Sequence, residues 1–134
     1  MQRTTLDSES APDAVVAVYA TDAGAPGALI ITDVAGAATL GAALTSMPQA
    51  IVESVRRSGV LDDPTLIENL GEVANVLSQN FNTADTPHLR YREVVALDAV
   101  DAEVRALLEA PAARRDVLVT VEGYGGGRIS FVVA

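Results

Sequence analysis

One segment constrains the fold more than any other. Between Thr65 and Asn82 the chain reads TLIENLGEVANVLSQNFN. Leu66, Ile67, Leu70, Val73, Ala74, Leu77 and Phe81 recur at i, i+3, i+4, i+7 spacing, which is the signature of an amphipathic helix. Such a stripe needs another layer to cover it, so the rest of the chain must supply a sheet or further helices. At about 100° per residue, Glu68, Glu72, Asn75 and Gln79 fall together on the opposite side. That polar row works against its own helix. Glu68 and Glu72 are like charges at i, i+4, and no basic residue lies between Thr65 and Asn82 to compensate them. Asn75 is a weak helix former. Local rules fail most often where a surface has work to do.

The remaining segments read as strands and helices around this one. AVVAVYA (Ala14 to Ala20) and ALIIT (Ala28 to Thr32) are apolar and β-branched, with TDAGAPG as the turn between them. AATLGAAL (Ala37 to Leu44) reads as a third strand, because Thr45 or Ser46 would cap a helix directly after it and Pro48 would sit in that helix's first turn. Met47 to Arg57 reads as a helix ended by Gly59. Asp62-Asp63-Pro64 opens the long helix, where Thr65 and Glu68 could form a capping box. Leu89 to Leu97 reads as a strand and Asp101 to Glu109 as a short helix with Val104, Leu107 and Leu108 inward. Asp116 to Glu122 and Arg128 to Val133 read as strands joined by a glycine-rich turn. The expectation is an α+β domain: a mostly antiparallel sheet of about six strands packed against two main helices. Residues 1–13 are polar and read as a flexible tail, leaving 14–134 as one domain.

Within this frame, LGEVANVLSQNFN resembles the phosphatase helix of the CheC/CheX family, which acts on phosphorylated CheY. In that family an acidic or Ser residue is followed, after three residues, by Glu and, after two more, by Asn. Glu68, Glu72 and Asn75 stand at those positions. The preceding GALIITDVAGAATLGAALTSMPQAIVESVRRSG and the closing GGGRISFVV are also similar to the family's strands and helix. A single E-x-x-N helix in a chain of 134 residues resembles the CheX type.

The resemblance implies a chemotaxis or flagellar response-regulator phosphatase with a CheX-like fold. It implies that Asn75 positions the attacking water, that Glu72 engages a lysine of the receiver, and that Glu68 and Gln79 border the partner surface. It implies no cofactor of the chain's own, with Mg²⁺ carried by the phosphorylated CheY-like receiver, and an edge-to-edge homodimer. The alternative is a non-catalytic CheX-like module that binds a receiver or a flagellar switch protein.

Composition narrows the chemistry independently. There is no Cys, and all nine basic residues are Arg. Thiol catalysis, Schiff-base chemistry and Walker-type lysines are excluded. A formal net charge of −9 argues against nucleic acid and anionic membranes as partners. No apolar run reaches membrane-spanning length, and the first residues hold no apolar core of a signal peptide, so a cytoplasmic protein is expected. GYGGG (Gly123 to Gly127) lacks the Lys and Ser/Thr of a phosphate loop and reads as a hairpin turn. His88, the one His, reads as a loop or strand-edge residue. Asp62 and Asp63 are explained by helix capping, which leaves Asp85 alone as a metal ligand. Arg114 and Arg115 are expected on a loop, in an ion pair with Asp116 or Glu109.

Overall fold

A computed structural model describes residues 14–82 and 88–134. The tail expected over residues 1–13, together with Asp85, lies outside the described residues. Five strands form one fully antiparallel sheet: β1 (Val15–Thr21), β2 (Pro26–Thr32), β3 (Leu89–Ala96), β4 (Ala113–Val121) and β5 (Gly125–Val133). Their order across the sheet is β3-β1-β2-β5-β4. The β1–β2 hairpin is therefore central, and β3 and β4 form the edges. Among the described residues there are four α-helices: α1 (Val34–Leu44), α2 (Gln49–Ser58), α3 (Pro64–Leu77) and α4 (Ala102–Glu109).

Helices cover both faces of the sheet. On one face, Ala17, Tyr19, Ala28, Ile30 and Ile129 pack with Ala74 of α3, while Leu40 of α1 and Leu77 of α3 flank them. On the other face, Val16, Val18, Leu29, Ile31 and Val132 pack against Val104 and Leu107 of α4. The sheet expected to pack against two main helices is thus covered on its second face as well, by the short helix α4. This double cover explains why β1 and β2 read as unbroken apolar runs: neither face of the central hairpin meets water, so alternation has nothing to mark.

The segment expected as a strand over Ala37 to Leu44 belongs instead to helix α1, so the sheet has five strands and not six. Asp33 caps α1 by accepting the Gly36 N–H at 2.7 Å, and Ala, the best helix former, fills its interior. The segment shows no amphipathic period because α1 is enclosed. It packs on β5 below, α3 beside it and α2 outside, and Gly36, Ala37, Ala38, Thr39, Gly41 and Ala42 are all buried. Its small residues serve close approach: a Cβ on Gly41 would come within 2.8 Å of the Leu66 carbonyl oxygen of α3. Likewise a Cβ on Gly127 would meet the Gly36 Cα at 2.2 Å, so the glycine run opening β5 is the seat of α1.

The β4–β5 connection is a hairpin as expected, with Gly123 and Gly125 at positive φ. It is pinned to α2: Arg56 donates to the carbonyls of Tyr124 and Gly126, and the Tyr124 hydroxyl donates to the Met47 carbonyl at 2.7 Å. β4 begins earlier than expected, so Arg114 and Arg115 lie on a strand and not on a loop. Arg114 pairs with Asp116 at 3.1 Å on the face that carries α4, with the Asp116 carboxylate almost wholly buried. Antiparallel strands place i and i+2 on one face, so β4's early start brings the two together. α2 ends at Gly59 in the left-handed conformation, as expected, but its N-cap position is Pro48 rather than Thr45 or Ser46.

Candidate functional site

Helix α3 is built for position. Asp63 caps it, accepting from the N–H groups of Thr65 and Leu66 at 2.9 and 3.2 Å, with Pro64 at the first helical position. The capping box expected between Thr65 and Glu68 does not form, because Asp63 already serves the orphan donors two residues earlier. Glu68 is therefore free of any capping role. Leu66, Leu70 and Ala74 are buried under the helix, with Val73 and Leu77 partly so, as the stripe requires. Ile67, at the margin of that stripe, is 42% exposed.

The polar row is exposed, but the helix expected as far as Asn82 ends at Leu77, so Gln79 lies beyond α3, on the 3-10 turn Ser78–Asn80. Glu68, Glu72, Asn75 and Gln79 are all exposed. Neither Glu68 nor Glu72 makes an ion pair with any described residue. The arginines of β3 are engaged elsewhere: Arg92 lies 3.5 Å from both Glu93 and Asp101, and Arg90 lies 3.9 Å from Asp22. Val76 is 59% exposed and flanks the row on its other side. The surface thus combines two uncompensated carboxylates, two carboxamides and an apolar margin.

The turn carrying Asn75 is held from both sides. The helix tightens at its end, where the Ser78 N–H bonds to the carbonyls of Asn75 and Val76. That leaves the Ala74 carbonyl without its usual i+4 donor, and the buried Tyr19 hydroxyl of β1 donates to it at 2.5 Å. Outside, the Ser78 hydroxyl donates to the Asn75 carbonyl at 2.6 Å. Beyond the single 3-10 turn Ser78–Asn80, the Asn82 carboxamide bonds Leu89 in both directions at 2.8 Å. It ties the end of the helix to the start of β3. Burial of Tyr19, with Tyr91 nearby, pushes the Tyr19 phenol above its ordinary pKa, so it remains a donor.

One residue that anchors this helix has no counterpart among the expected site residues. Asn69 is 8% exposed, and its amide nitrogen donates to the Gly41 carbonyl and the Thr45 hydroxyl, both at 2.9 Å. It locks α3 to the end of α1. The available signal was angular: position 69 is about 100° from Glu68 on the helix, outside the polar row.

The other motifs fall away from this face. His88 is exposed and lies 3.4 Å from Asp22, at the start of β3. Among the described residues no group of three or more His, Cys, Asp or Glu could hold a metal ion. Among them, too, no helix is long and apolar enough to cross a membrane. No family model, curated protein or solved structure matches the chain.

Proposed function

We propose that the protein is a CheX-like, cytoplasmic phosphatase of the chemotaxis or flagellar system that hydrolyses the aspartyl phosphate of a CheY-like receiver. One observation carries the reading. Glu72 and Asn75 stand together on an exposed helix face whose carboxylates find no cation among the described residues. A face with unmatched charge suits a partner that brings the match, here the receiver's lysine.

In this reading the Asn75 carboxamide reaches into the receiver's site and holds a water in line with phosphorus. The water oxygen bonds to phosphorus, the bond from phosphorus to the aspartyl oxygen breaks, and the aspartate leaves with the electron pair. Both of the water's protons leave on the inorganic phosphate, which exchanges them with solvent. A carboxamide both donates and accepts, and carries no charge to repel the phosphoryl group. Glu72 fixes the register by pairing with the receiver's lysine, while Glu68 and Gln79 extend the contact. Mg²⁺ on the receiver neutralises phosphoryl charge, and positioning supplies most of what remains to be gained. The strands β3 and β4 at the sheet edges are the candidate seams of a homodimer.

A second reading is favoured by the apolar margin. Ile67 and Val76 are exposed large hydrophobics on α3, a feature of docking surfaces as much as of active sites. A non-catalytic module would hold a receiver or flagellar switch protein there without altering phosphate lifetime. The decay of a phosphorylated receiver separates the two. Acceleration that disappears in Asn75→Ala and Glu72→Ala supports catalysis; binding with unchanged decay supports the module.

A further inference from the structure

Gly71 interrupts the surface of α3 between Glu68 and Asn75. It lies three residues after the first and four before the second, so both are its immediate neighbours on the helix surface, at about 5–6 Å. Directly beside it is a side chain from another element. A Cβ on Gly71 would come within 3.1 Å of the Tyr91 hydroxyl of β3. The missing side chain leaves a notch, and the phenol fills it from the sheet side.

Tyr91 is only partly buried, and its hydroxyl makes no hydrogen bond to any described residue. Its ring is placed by packing, 6.0 Å from the Tyr19 ring at a steep angle. Helical side chains lean toward the N-terminus, so Asn75 covers the turn before its own Cα, where the notch lies. Burial first, then the carboxylates of Glu93 and Glu72, raise the Tyr91 pKa above that of an ordinary phenol. The group therefore stays a neutral donor through the working pH range.

We propose that the Tyr91 hydroxyl is a third hydrogen-bonding group of the α3 surface, donating to the same phosphoryl group or water that Asn75 addresses. The inference rests on the phosphatase reading of Glu72 and Asn75. It assigns Gly71 a role as well: the residue is small so that a group from β3 can reach the helix face. A neutral donor there adds hydrogen bonding to a developing phosphoryl charge without the repulsion that Glu68 and Glu72 would bring.

The test compares wild type, Asn75→Ala, Tyr91→Phe and Gly71→Ala in the decay of a phosphorylated CheY-type receiver from the same organism. Melting temperatures and saturation curves are measured for each. The proposal predicts that Tyr91→Phe lowers the maximal rate on the order of tenfold. The half-saturating receiver concentration and melting temperature should stay near wild type, a split that a packing role would not produce. Gly71→Ala, which crowds the hydroxyl, should lower the rate in the same way. Wild-type acceleration that Asn75→Ala abolishes and Tyr91→Phe preserves overturns the role of Tyr91 and leaves the phosphatase reading standing. No acceleration by wild type overturns both.

Discussion

The Tyr19 hydroxyl donates to the Ala74 carbonyl across 2.5 Å, joining a central strand to the helical turn that presents Asn75. The bond exists because α3 tightens at Ser78 and releases that carbonyl from the helical ladder. A candidate working residue is thus fixed from beneath by a buried phenol as well as from outside by the exposed Ser78 hydroxyl. Tyr19→Phe keeps the ring and its contact with Phe81, whose centroid is 5.0 Å away, but orphans the carbonyl. The expected cost is about 1–3 kcal/mol, read as a lower denaturation midpoint at unchanged m-value. An unchanged midpoint would remove this bond from the account of how Asn75 is held.

Asn69 has the same logic on the α1 side. Asn69→Ala removes the buried amide that donates to the Gly41 carbonyl and the Thr45 hydroxyl. Urea unfolding should show a loss of about 1–3 kcal/mol. Asn69→Asp should be at least as damaging, since it replaces the donor with a charge in a buried site. Tolerance of both variants would mean that α3 is held by its apolar stripe alone.

Thr32 presents the opposite case. Its hydroxyl is buried without a hydrogen-bond partner among the described residues, at 3% residue exposure. It borders a small cavity of about 20 Å³ between β2 and α3, lined otherwise by apolar side chains such as Ile30, Leu70 and Val73. Thr32→Val replaces the hydroxyl with a methyl of similar size. Stability should rise, or at least hold, by about 1 kcal/mol in thermal or chemical unfolding. A clear loss would show that the hydroxyl holds a water in that cavity.

Alkaline pH should weaken the fold through its buried phenols. Tyr19 and Tyr91 both have pKa values raised above the ordinary 10.0 in the folded state, in each case mainly by burial. Between the unfolded and folded values the native state holds more protons than the unfolded chain, so stability falls as pH rises. The contribution is intact below about pH 10 and is lost above it, as pH climbs through the folded values. Tyr19→Phe should flatten this decline in a pH series of unfolding curves. A decline equally steep in wild type and variant would assign it to other groups.

The sequence made α3 legible because its two faces differ in kind. The stripe from Leu66 to Leu77, the exposed Glu72 and Asn75, and the hairpin of the last two strands lie where spacing and turn chemistry place them, while Ile67 is exposed at the stripe's margin and Phe81 falls beyond the end of the helix. Helix α1 was not legible as a helix. Enclosed on several sides, it shows neither a period of 3.6 nor one of 2, and only its Asp33 cap and Ala content point to the helix. The second helical layer was missed because α4 is short, and its three apolar residues do not say which face of a sheet they cover. Tyr91 was hidden for another reason. Its position beside Gly71 depends on the pairing of β3 with β1, a contact between residues far apart in the chain.

The central claim is that the α3 face acts on a receiver's aspartyl phosphate, and one kinetic comparison tests it most directly. A CheY-type receiver from the same organism is phosphorylated, and its decay is followed alone, with the wild-type protein and with Asn75→Ala. Asn75 is exposed, so its replacement should leave stability within about 0.5 kcal/mol. The account predicts faster decay with wild type and decay at the spontaneous rate with the variant. Equal acceleration by both proteins, or none by wild type, would contradict it.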